Sequence, residues 1–512
     1  MAGWTPKDKK RNVIPRWRDL SQTTALGELE SLKRGHKSEF ETVTAFHDKK
    51  IIDWKTESSV KNTIELLNSS IVLGDDDFLA QVTFYLKNHE LGDSRIIKSL
   101  VDKMTNTPEI PKLIGSTQNI TDLDKVIGEK IKKYRVNIHL NPFNAINWIE
   151  LARLYLIIGK NIAAERCVLT AIQLAPHNRY VSRVASRFFA HTKDYNKAKQ
   201  ILRSNTAFNV DPWLIGAEIG ISSLQNKSSM QIKRGRDLIG SKNYSSFDLN
   251  ELLSALATEE LNSGSIKSSR KLFNQSLIQP NDNTLAQAVW AVKHVNNIEV
   301  FDNKFGLIPS IYEASAYNHY ENRRWEDAMS DILEWFVDQP FSIDPTTLGS
   351  FIASSILERY DDAIKLCKVG LRATPDNFTL MNNLAYSLLG KGRLEEAKLT
   401  LNKISAESLT NEEKVVFFAT KGLLMYKQGF NSNGASLYDA ASSLAEKIKS
   451  KKLKLMADFH HLVIQLETEN YPDSKFMKFE RLAKEIGDKD EVFFKDLVKN
   501  VIRRRNDFIK TI

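Results

Sequence analysis

Three arginines, Arg179, Arg183 and Arg187, recur at every fourth residue. On a helix this spacing places them on one face. Guanidinium groups this close repel one another unless an anion or an acidic side chain compensates their charge, and each can bind a carboxylate or phosphate through paired hydrogen bonds. The row therefore predicts a surface that binds an acidic or phosphorylated segment. The alternatives are a solvated face, or pairing with carboxylates of the chain itself such as Glu150.

The sequence shows no arrangement of residues for catalysis. The segment Gly235-Arg-Asp-Leu-Ile-Gly240-Ser241-Lys242 approaches a phosphate-binding loop. Its last two residues are in reverse order, however, and no strand precedes it. The histidines lack the His-Glu-x-x-His spacing of a zinc site, and a helix directs the neighbours His460 and His461 apart. We therefore predict that the chain is not an enzyme and has no cofactor or metal.

The arginine row belongs to a series of helical hairpins. In residues 145–178, apolar residues spaced as in a helix are followed by a second helix and then by Pro176. A small residue is expected at the start of each second helix, where the two helices cross closely. Such residues recur at spacings of 34, 35, 34 and 37 between neighbours in two series, Ala164 and Ala198, then Ala328, Ala363, Ala397 and Gly434.

Residues 145–178 resemble the tetratricopeptide repeat. Trp148, Leu151, Ala152, Tyr155, Ala164, Val168 and Pro176 follow its signature, with Ala152 and Val168 as mild substitutions. The resemblance is strong also in 344–377 and 378–411, fair in 179–212, 309–342 and 415–448, and poor in 213–308. It implies an all-α fold, a right-handed superhelical solenoid of antiparallel helix pairs that binds proteins.

Pentatricopeptide repeats, which bind single-stranded RNA, are the alternative helical repeat. They share the Gly-x-Leu-Glu-Glu-Ala pattern of residues 392–397. The Trp148 and Tyr155 pair, the Pro-Asp-Asn turn at 375–377 and the wandering period favour the tetratricopeptide interpretation.

Five segments are expected along the chain. The break between the two arrays is placed at residues 300–309, which read as irregular. Terminal repeats must cover an otherwise open core, so helices at the far end are expected to cap it. The segments are a basic N-terminal arm (1–18), a helical N-terminal module (19–140), a first array (141–299, irregular after 212), a second array (300–448) and capping C-terminal helices (449–512).

The net charge of +9 is concentrated at the two ends of the chain. Residues 1–18 carry +5 and residues 495–512 carry +4, so the rest is neutral overall. This excludes a generally basic solenoid that wraps nucleic acid. It leaves open nucleic-acid binding by flexible basic ends, with Trp4 and Trp17 available for stacking. No stretch is long and apolar enough to span a membrane, and no secretory signal precedes the helices, so a cytoplasmic location is expected.

The resemblance implies that the first helix of each hairpin lines a concave groove. The partner-binding residues implied in the groove are Arg153, Tyr180, Arg183, Arg187, Asn382, Asn383 and Tyr386. Asn383 matches the asparagine that holds a peptide backbone in this family. The basic partners of the chaperone-tail carboxylate clamp are missing, because Leu348 and Ile352 stand on the preceding helix. A chaperone-tail adaptor is therefore not favoured.

The expected function is an interaction scaffold or a regulatory or adaptor subunit. It would bind an unidentified protein segment in the groove, an acidic one if the arginine row sets the preference. Two alternatives stay open at this point. One is a nucleic-acid-associated protein that uses its basic termini, and the other is a sensor subunit that works beside a separately encoded effector enzyme.

Overall fold

The computed structural model describes residues 11–17, 37–73, 76–88, 120–300, 305, 308, 311–339, 341–469, 472–487 and 493–511. All regular secondary structure in these residues is helical, which confirms the predicted all-α class. Among the described helices, none is both long and apolar enough to cross a membrane. In chain order they are α1 (Lys37–Thr56), α2 (Val60–Leu73), α3 (Asp76–Lys87), α4 (Ile120–Leu140), α5 (Ala145–Ile157), α6 (Asn161–Leu174), α7 (Arg179–His191), α8 (Tyr195–Ser204), α9 (Pro212–Leu224), α10 (Ile232–Gly240), α11 (Ser246–Asn262), α12 (Ile266–Ser276), α13 (Asp282–Ala291), α14 (Glu313–Glu321), α15 (Trp325–Asp338), α16 (Ile343–Phe351, continued by a π-helical turn Ile352–Ile356), α17 (Tyr360–Ala373), α18 (Phe378–Gly390), α19 (Leu394–Asn402), α20 (Asn411–Lys427), α21 (Asn431–Lys447), α22 (Lys451–Thr468), α23 (Asp473–Gly487) and α24 (Phe494–Thr511).

The three hairpins with the strongest resemblance form as predicted, as α5 with α6, α16 with α17, and α18 with α19. In the first of these, the Asn144 side chain accepts a hydrogen bond from the Ile146 amide and caps α5. Gly159 turns the chain at φ 73°, a conformation that suits glycine. Ala164 is fully buried at the helix crossing, as its small size predicts.

The structure continues the hairpins through 212–276, where the sequence resemblance is poor. Here α9 precedes α10, and α11 pairs with α12. Gly235 and Ser269 take the place of the small alanine at the crossings. A Cβ on Gly235 would lie 3.0 Å from a methyl group of Leu252, and buried Ser269 donates to the Ala257 carbonyl at 2.8 Å. The glycine-rich stretch at 235–240 lies inside α10, so it does not form a phosphate loop.

Residues on both sides of the expected break share one apolar cluster. Phe273 and Leu285 precede the break, Ala314 follows it, and all three are buried together. Apolar packing therefore continues across the expected break.

The solenoid turns back on itself, so that its first hairpin contacts its second array. Helix α5 packs against α17. Arg153 of α5 donates to the Val337 carbonyl at 3.3 Å, 184 residues away. The His191 ring at the end of α7 lies 5.7 Å from the Phe341 ring. The first helices of successive hairpins pack side by side from α5 through α7, α9 and α11 to α13, and again from α16 through α18 and α20 to α22.

The N-terminal helices form a unit with an apolar cluster of its own, in which α2 packs between α1 and α3. Leu66, Leu67, Val82 and Leu86 are buried there. In the sequence, Val60, Ile64, Leu67 and Ile71 have the spacing of an apolar helix stripe, and they fall on α2. A second stripe of this kind at 96–104 lies outside the described residues. Helix α4 packs on α5.

Candidate functional site

Residues 11–17 lie inside the solenoid without regular secondary structure. Val13 and Trp17 are buried, and the Trp17 ring lies 5.2 Å from the Phe341 ring. The contacts of this stretch, here called the N-terminal segment, come from α9, α13 and α14 and from Phe341 in the loop after α15. The N-terminal segment therefore lies between these elements, in a space here called the groove. This corrects the expectation that Trp17 is available for stacking, because apolar packing buries it. Trp4 lies outside the described residues.

Carboxylates and amides of α13 and α14 hold Arg11 of the N-terminal segment. Arg11 forms two hydrogen bonds to Glu313, from Nε to Oε1 at 2.8 Å and from Nη2 to Oε2 at 2.9 Å. It also donates to Gln287 Oε1 at 2.7 Å and to Asn283 Oδ1 at 2.9 Å. A bidentate pair of this kind fixes the geometry of the guanidinium as well as its charge.

Arg16 is buried between two carboxylates, forming ion pairs with Asp282 and Glu313. Burial alone would lower the pKa of the Arg16 guanidinium. Asp282, Glu313 and Asp338 outweigh burial and raise that pKa above its ordinary value. Breaking one member of such a pair leaves an uncompensated buried charge, so the N-terminal segment is firmly anchored.

Amide side chains of the groove also bind the backbone of the N-terminal segment. Gln287 Nε2 donates to the Arg11 carbonyl at 2.9 Å, and Asn283 Nδ2 donates to the Ile14 carbonyl at 3.0 Å. The Val13 carbonyl lies directly against Gly220 of α9, where any Cβ would collide with it. The groove therefore holds this stretch both by its arginines and by its main chain.

Carboxylates of the chain itself lie beside three of the four arginines considered in the sequence. Arg179 pairs with Asp211 at 2.5 Å, and Arg153 pairs with Glu150 at 3.1 Å. Arg183 pairs with Glu251 at 2.8 Å. These contacts compensate the charge that motivated an anionic partner at these three positions.

Glu251 is a central acceptor in the first array. Its carboxylate is bound by Arg183 and by the amides of Asn281 and Asn283 at 3.0 and 3.1 Å. Burial would raise the pKa of Glu251, but these partners outweigh burial and hold it below its ordinary value. Arg183 also donates to the Trp213 carbonyl at 2.9 Å and lies 4.9 Å over the Trp213 ring.

Arg187 is the exception in the arginine row. It is buried and lies 4.9 Å over the Phe341 ring. Its Nε has no hydrogen-bond partner among the described residues. Tyr180, on the same helix, is buried as well.

The second predicted patch lies beneath the C-terminal helices. Asn382 and Asn383 are fully buried, and Asn383 Nδ2 donates to Ser350 Oγ at 3.0 Å. The Tyr386 ring lies 6.3 Å from the His460 ring of α22, and burial raises the pKa of its hydroxyl. In this structure Asn383 therefore binds a neighbouring helix of the chain.

The basic C-terminus is also paired within the chain. Arg503 contacts Glu358, and Arg504 lies 3.3 Å from both Glu358 and Glu467. Arg505 pairs with Asp473 at 2.7 Å. These pairs hold α24 against residues 352–358. They also compensate much of the positive charge that the sequence concentrates at the C-terminus.

None of the groove residues that contact the N-terminal segment was singled out in the sequence. They are Gly220, Asp282, Asn283, Gln287, Glu313 and Phe341. Asp282 and Asn283 are both buried although they open a helix in the stretch with poor resemblance. The available signal was the Asn-Asp-Asn run at 281–283, which indicates a helix start and not a binding site.

A comparison with known protein families identifies one stretch of these helix pairs. Residues 357–413 match a family model described as tetratricopeptide repeat. These residues therefore carry the tetratricopeptide repeat pattern that the sequence resemblance implies. The matched residues run from the turn before α17 to the start of α20, within the strongest part of the predicted pattern.

Several solved structures are similar to this chain over most of its length, at low sequence identity. Yeast Tom70 is 14% identical, with 92% of this chain and 96% of that chain covered and a TM-score of 0.31. The APC/C hetero-tetramer Cut9-Hcn1 is 12% identical, with 91% and 99% covered and a TM-score of 0.34. The Naa15/Naa10 structure bound to HypK-THB is 13% identical, with 96% and 87% covered and a TM-score of 0.24. No curated protein sequence matches this chain.

Proposed function

We propose that this chain is an interaction scaffold or adaptor subunit that binds a non-helical protein segment along its concave groove. The observation that carries the proposal is the N-terminal segment itself. The side-chain amides of Gln287 and Asn283 donate to two backbone carbonyl groups of the segment, and carboxylates of the groove pair with both of its arginines. This is a complete mode of peptide recognition, with main-chain contacts for affinity and charged side chains for selectivity.

The groove chemistry also suggests which segment would bind. Arg11 and Arg16 meet buried carboxylates, while Val13 and Trp17 fill apolar space. A partner segment that carries two arginines five positions apart, with apolar residues near them, would make the same contacts. An acidic segment has less support, because carboxylates of the chain already compensate Arg153, Arg179 and Arg183.

The alternatives are less well supported. Nucleic-acid binding by basic ends would require Arg11, Arg16, Trp17 and the arginines of α24 to leave contacts that they make within the chain. A sensor role beside a separate enzyme would use the same groove and stays a prediction, as does the cytoplasmic location.

A peptide of residues 8–20 tests the groove in trans. Its affinity would be measured by fluorescence anisotropy for the full wild-type chain and for the full chain with Arg11→Ala and Arg16→Ala. The substituted chain should bind the peptide more tightly, since its own segment competes less. A peptide with both arginines changed to alanine should bind the substituted chain roughly 10-fold or more weakly, because it loses charge-assisted hydrogen bonds.

The matched control is the full chain with Arg359→Ala and Arg393→Ala, which removes two arginines from exposed ion pairs. It should bind the peptide like the wild-type chain. Circular dichroism establishes that the helices persist in each variant. Equal binding of the two peptides, or no binding to the chain with the weakened segment, would contradict the proposal.

A further inference from the structure

A cavity of about 160 Å³ lies beside the N-terminal segment, where the solenoid closes. The N-terminal segment forms one wall, and residues of α7, α9, α13, α14, α15, α16 and the loop after α15 form the others. The walls are partly polar and partly apolar.

Four cations line this cavity, and three of them have a carboxylate in ion-pair contact. Arg11 pairs with Glu313, Arg16 with Asp282 and Glu313, and Lys293 with Glu321. Among the described residues, no carboxylate forms an ion pair with Arg187. Of the four cations in the wall, the buried guanidinium of Arg187 is therefore the one whose charge no described carboxylate compensates directly.

Two further observations set Arg187 apart. Burial lowers the pKa of its guanidinium to about 10, and the opposing attraction of Asp344 and Glu313 does not offset that effect. Buried N–H groups are ordinarily hydrogen-bonded. Around this cavity three are left without a partner among the described residues, Arg187 Nε and the indole N–H groups of Trp290 and Trp335.

We propose that this cavity binds a small monocarboxylate, whose oxygens accept hydrogen bonds from Arg187. A planar carboxylate matches the paired donors of a guanidinium. It supplies the counter-charge that water filling the cavity would not supply.

The size and walls of the cavity limit the rest of the ligand. A dry cavity of roughly 150 Å³ is large enough to bind benzene. Ile14, Val289, Trp290 and Trp335 offer apolar surface, so the body of the ligand is a small ring or a branched alkyl group. A single negative charge is favoured over the two of a phosphate dianion, because Glu313 and Asp344 lie in the same wall.

Calorimetric titration of the full-length chain with benzoate tests the site. Benzoate should bind the wild-type chain, and the neutral isostere benzamide and inorganic phosphate should not compete with it. Arg187→Gln should weaken benzoate binding about 10- to 100-fold, the range expected when a charge-assisted pair is lost. Arg166→Gln, at an exposed position on α6, is the matched control and should bind like the wild type.

A second variant separates binding from folding. In Arg187→Met the uncompensated charge is gone, so without ligand the variant should melt at or above the temperature of the wild type, and benzoate should not raise that temperature. The site is refuted if benzoate fails to bind the wild type or binds Arg187→Gln equally well. A large drop in melting temperature for Arg187→Met would instead show that Arg187 is paired within the chain. None of these measurements depends on the groove binding a partner segment.

Discussion

The guanidinium of Arg16 forms a buried ion pair with the carboxylate of Asp282, a residue 266 positions farther along the chain. Asp282 also accepts a hydrogen bond from the Ala314 amide at 2.9 Å, at the start of α14. One carboxylate therefore joins the N-terminal segment, α13 and the first helix after the break. The segment is part of the interior of the solenoid, and its removal would expose polar groups from both arrays.

Gly220→Ala tests whether the main chain of the N-terminal segment packs against α9. Alanine in a helix interior is ordinarily more favourable than glycine by about 0.5–1 kcal/mol. At Gly220, however, the added methyl group would collide with the Val13 carbonyl oxygen. We expect a net loss in the free energy of unfolding of about 1–3 kcal/mol, the range for overpacking, measured by urea denaturation.

The control is Gly128→Ala in α4, where an added Cβ would meet nothing within 4 Å. This variant should gain stability by roughly the ordinary difference in helix propensity. If Gly220→Ala gained as much as Gly128→Ala, the main chain of Val13 could not lie where the structure has it.

The pH dependence of stability should reflect His191, which lies where the two arrays meet. Burial, and then the charge of Arg187, lowers the pKa of His191 from 6.5 to about 4. Above pH 6.5 the imidazole is neutral in both the folded and the unfolded chain. As the pH falls from 6.5 towards 4, the unfolded chain takes up the proton first, so stability is lost progressively, on the order of 3 kcal/mol in total.

His191→Gln should remove this part of the pH dependence, because glutamine does not titrate. Denaturant unfolding at pH 7, 6, 5 and 4 would give the slope for each variant. The same substitution at exposed His139 controls for loss of an imidazole elsewhere. An unchanged slope in His191→Gln would mean that the ring is solvated in the folded chain.

Ala397→Leu should disturb the protein locally. Ala397 is fully buried where α18 and α19 cross, and a larger side chain there costs about 1–3 kcal/mol. Hydrogen exchange should show loss of protection in 378–411 and its neighbours, with 179–276 comparatively protected, because each repeat packs mainly on adjacent ones. Lys398→Leu, at the exposed neighbouring position, should leave the exchange pattern unchanged. Uniform loss over the described helices would indicate one cooperative core.

The hairpins could be predicted from the sequence because their signals are local. The small residue at a crossing, such as Ala164 or Ala397, and the helix caps lie within about one repeat of the contacts that they make. The same logic explains why the resemblance is poor at 212–276, where Gly235 and Ser269 stand at the helix crossings in place of alanine. Both are small enough for the crossing.

The site could not be predicted in the same way, because its contacts join distant parts of the chain. A row of arginines indicates that their positive charge must be compensated, but it does not indicate which residues supply the negative charge. Arg183 finds Glu251 on another hairpin, 68 residues away. From composition alone, the basic N-terminal residues look like a solvated tail. The carboxylates that pair with Arg16, those of Asp282 and Glu313, lie far along the chain, so no local pattern connects them.

The central claim is that the N-terminal segment fills the groove, and hydroxyl-radical footprinting of Trp17 tests it most directly. Trp17 is fully buried, whereas Phe143 at the start of the repeats is 80% exposed. Mass spectrometry of the full wild-type chain should show slow modification of Trp17 and rapid modification of Phe143. In the chain with Arg11→Ala and Arg16→Ala, modification of Trp17 should accelerate while that of Phe143 stays unchanged. Modification of Trp17 in the folded wild-type chain as fast as in the urea-unfolded chain would contradict the account.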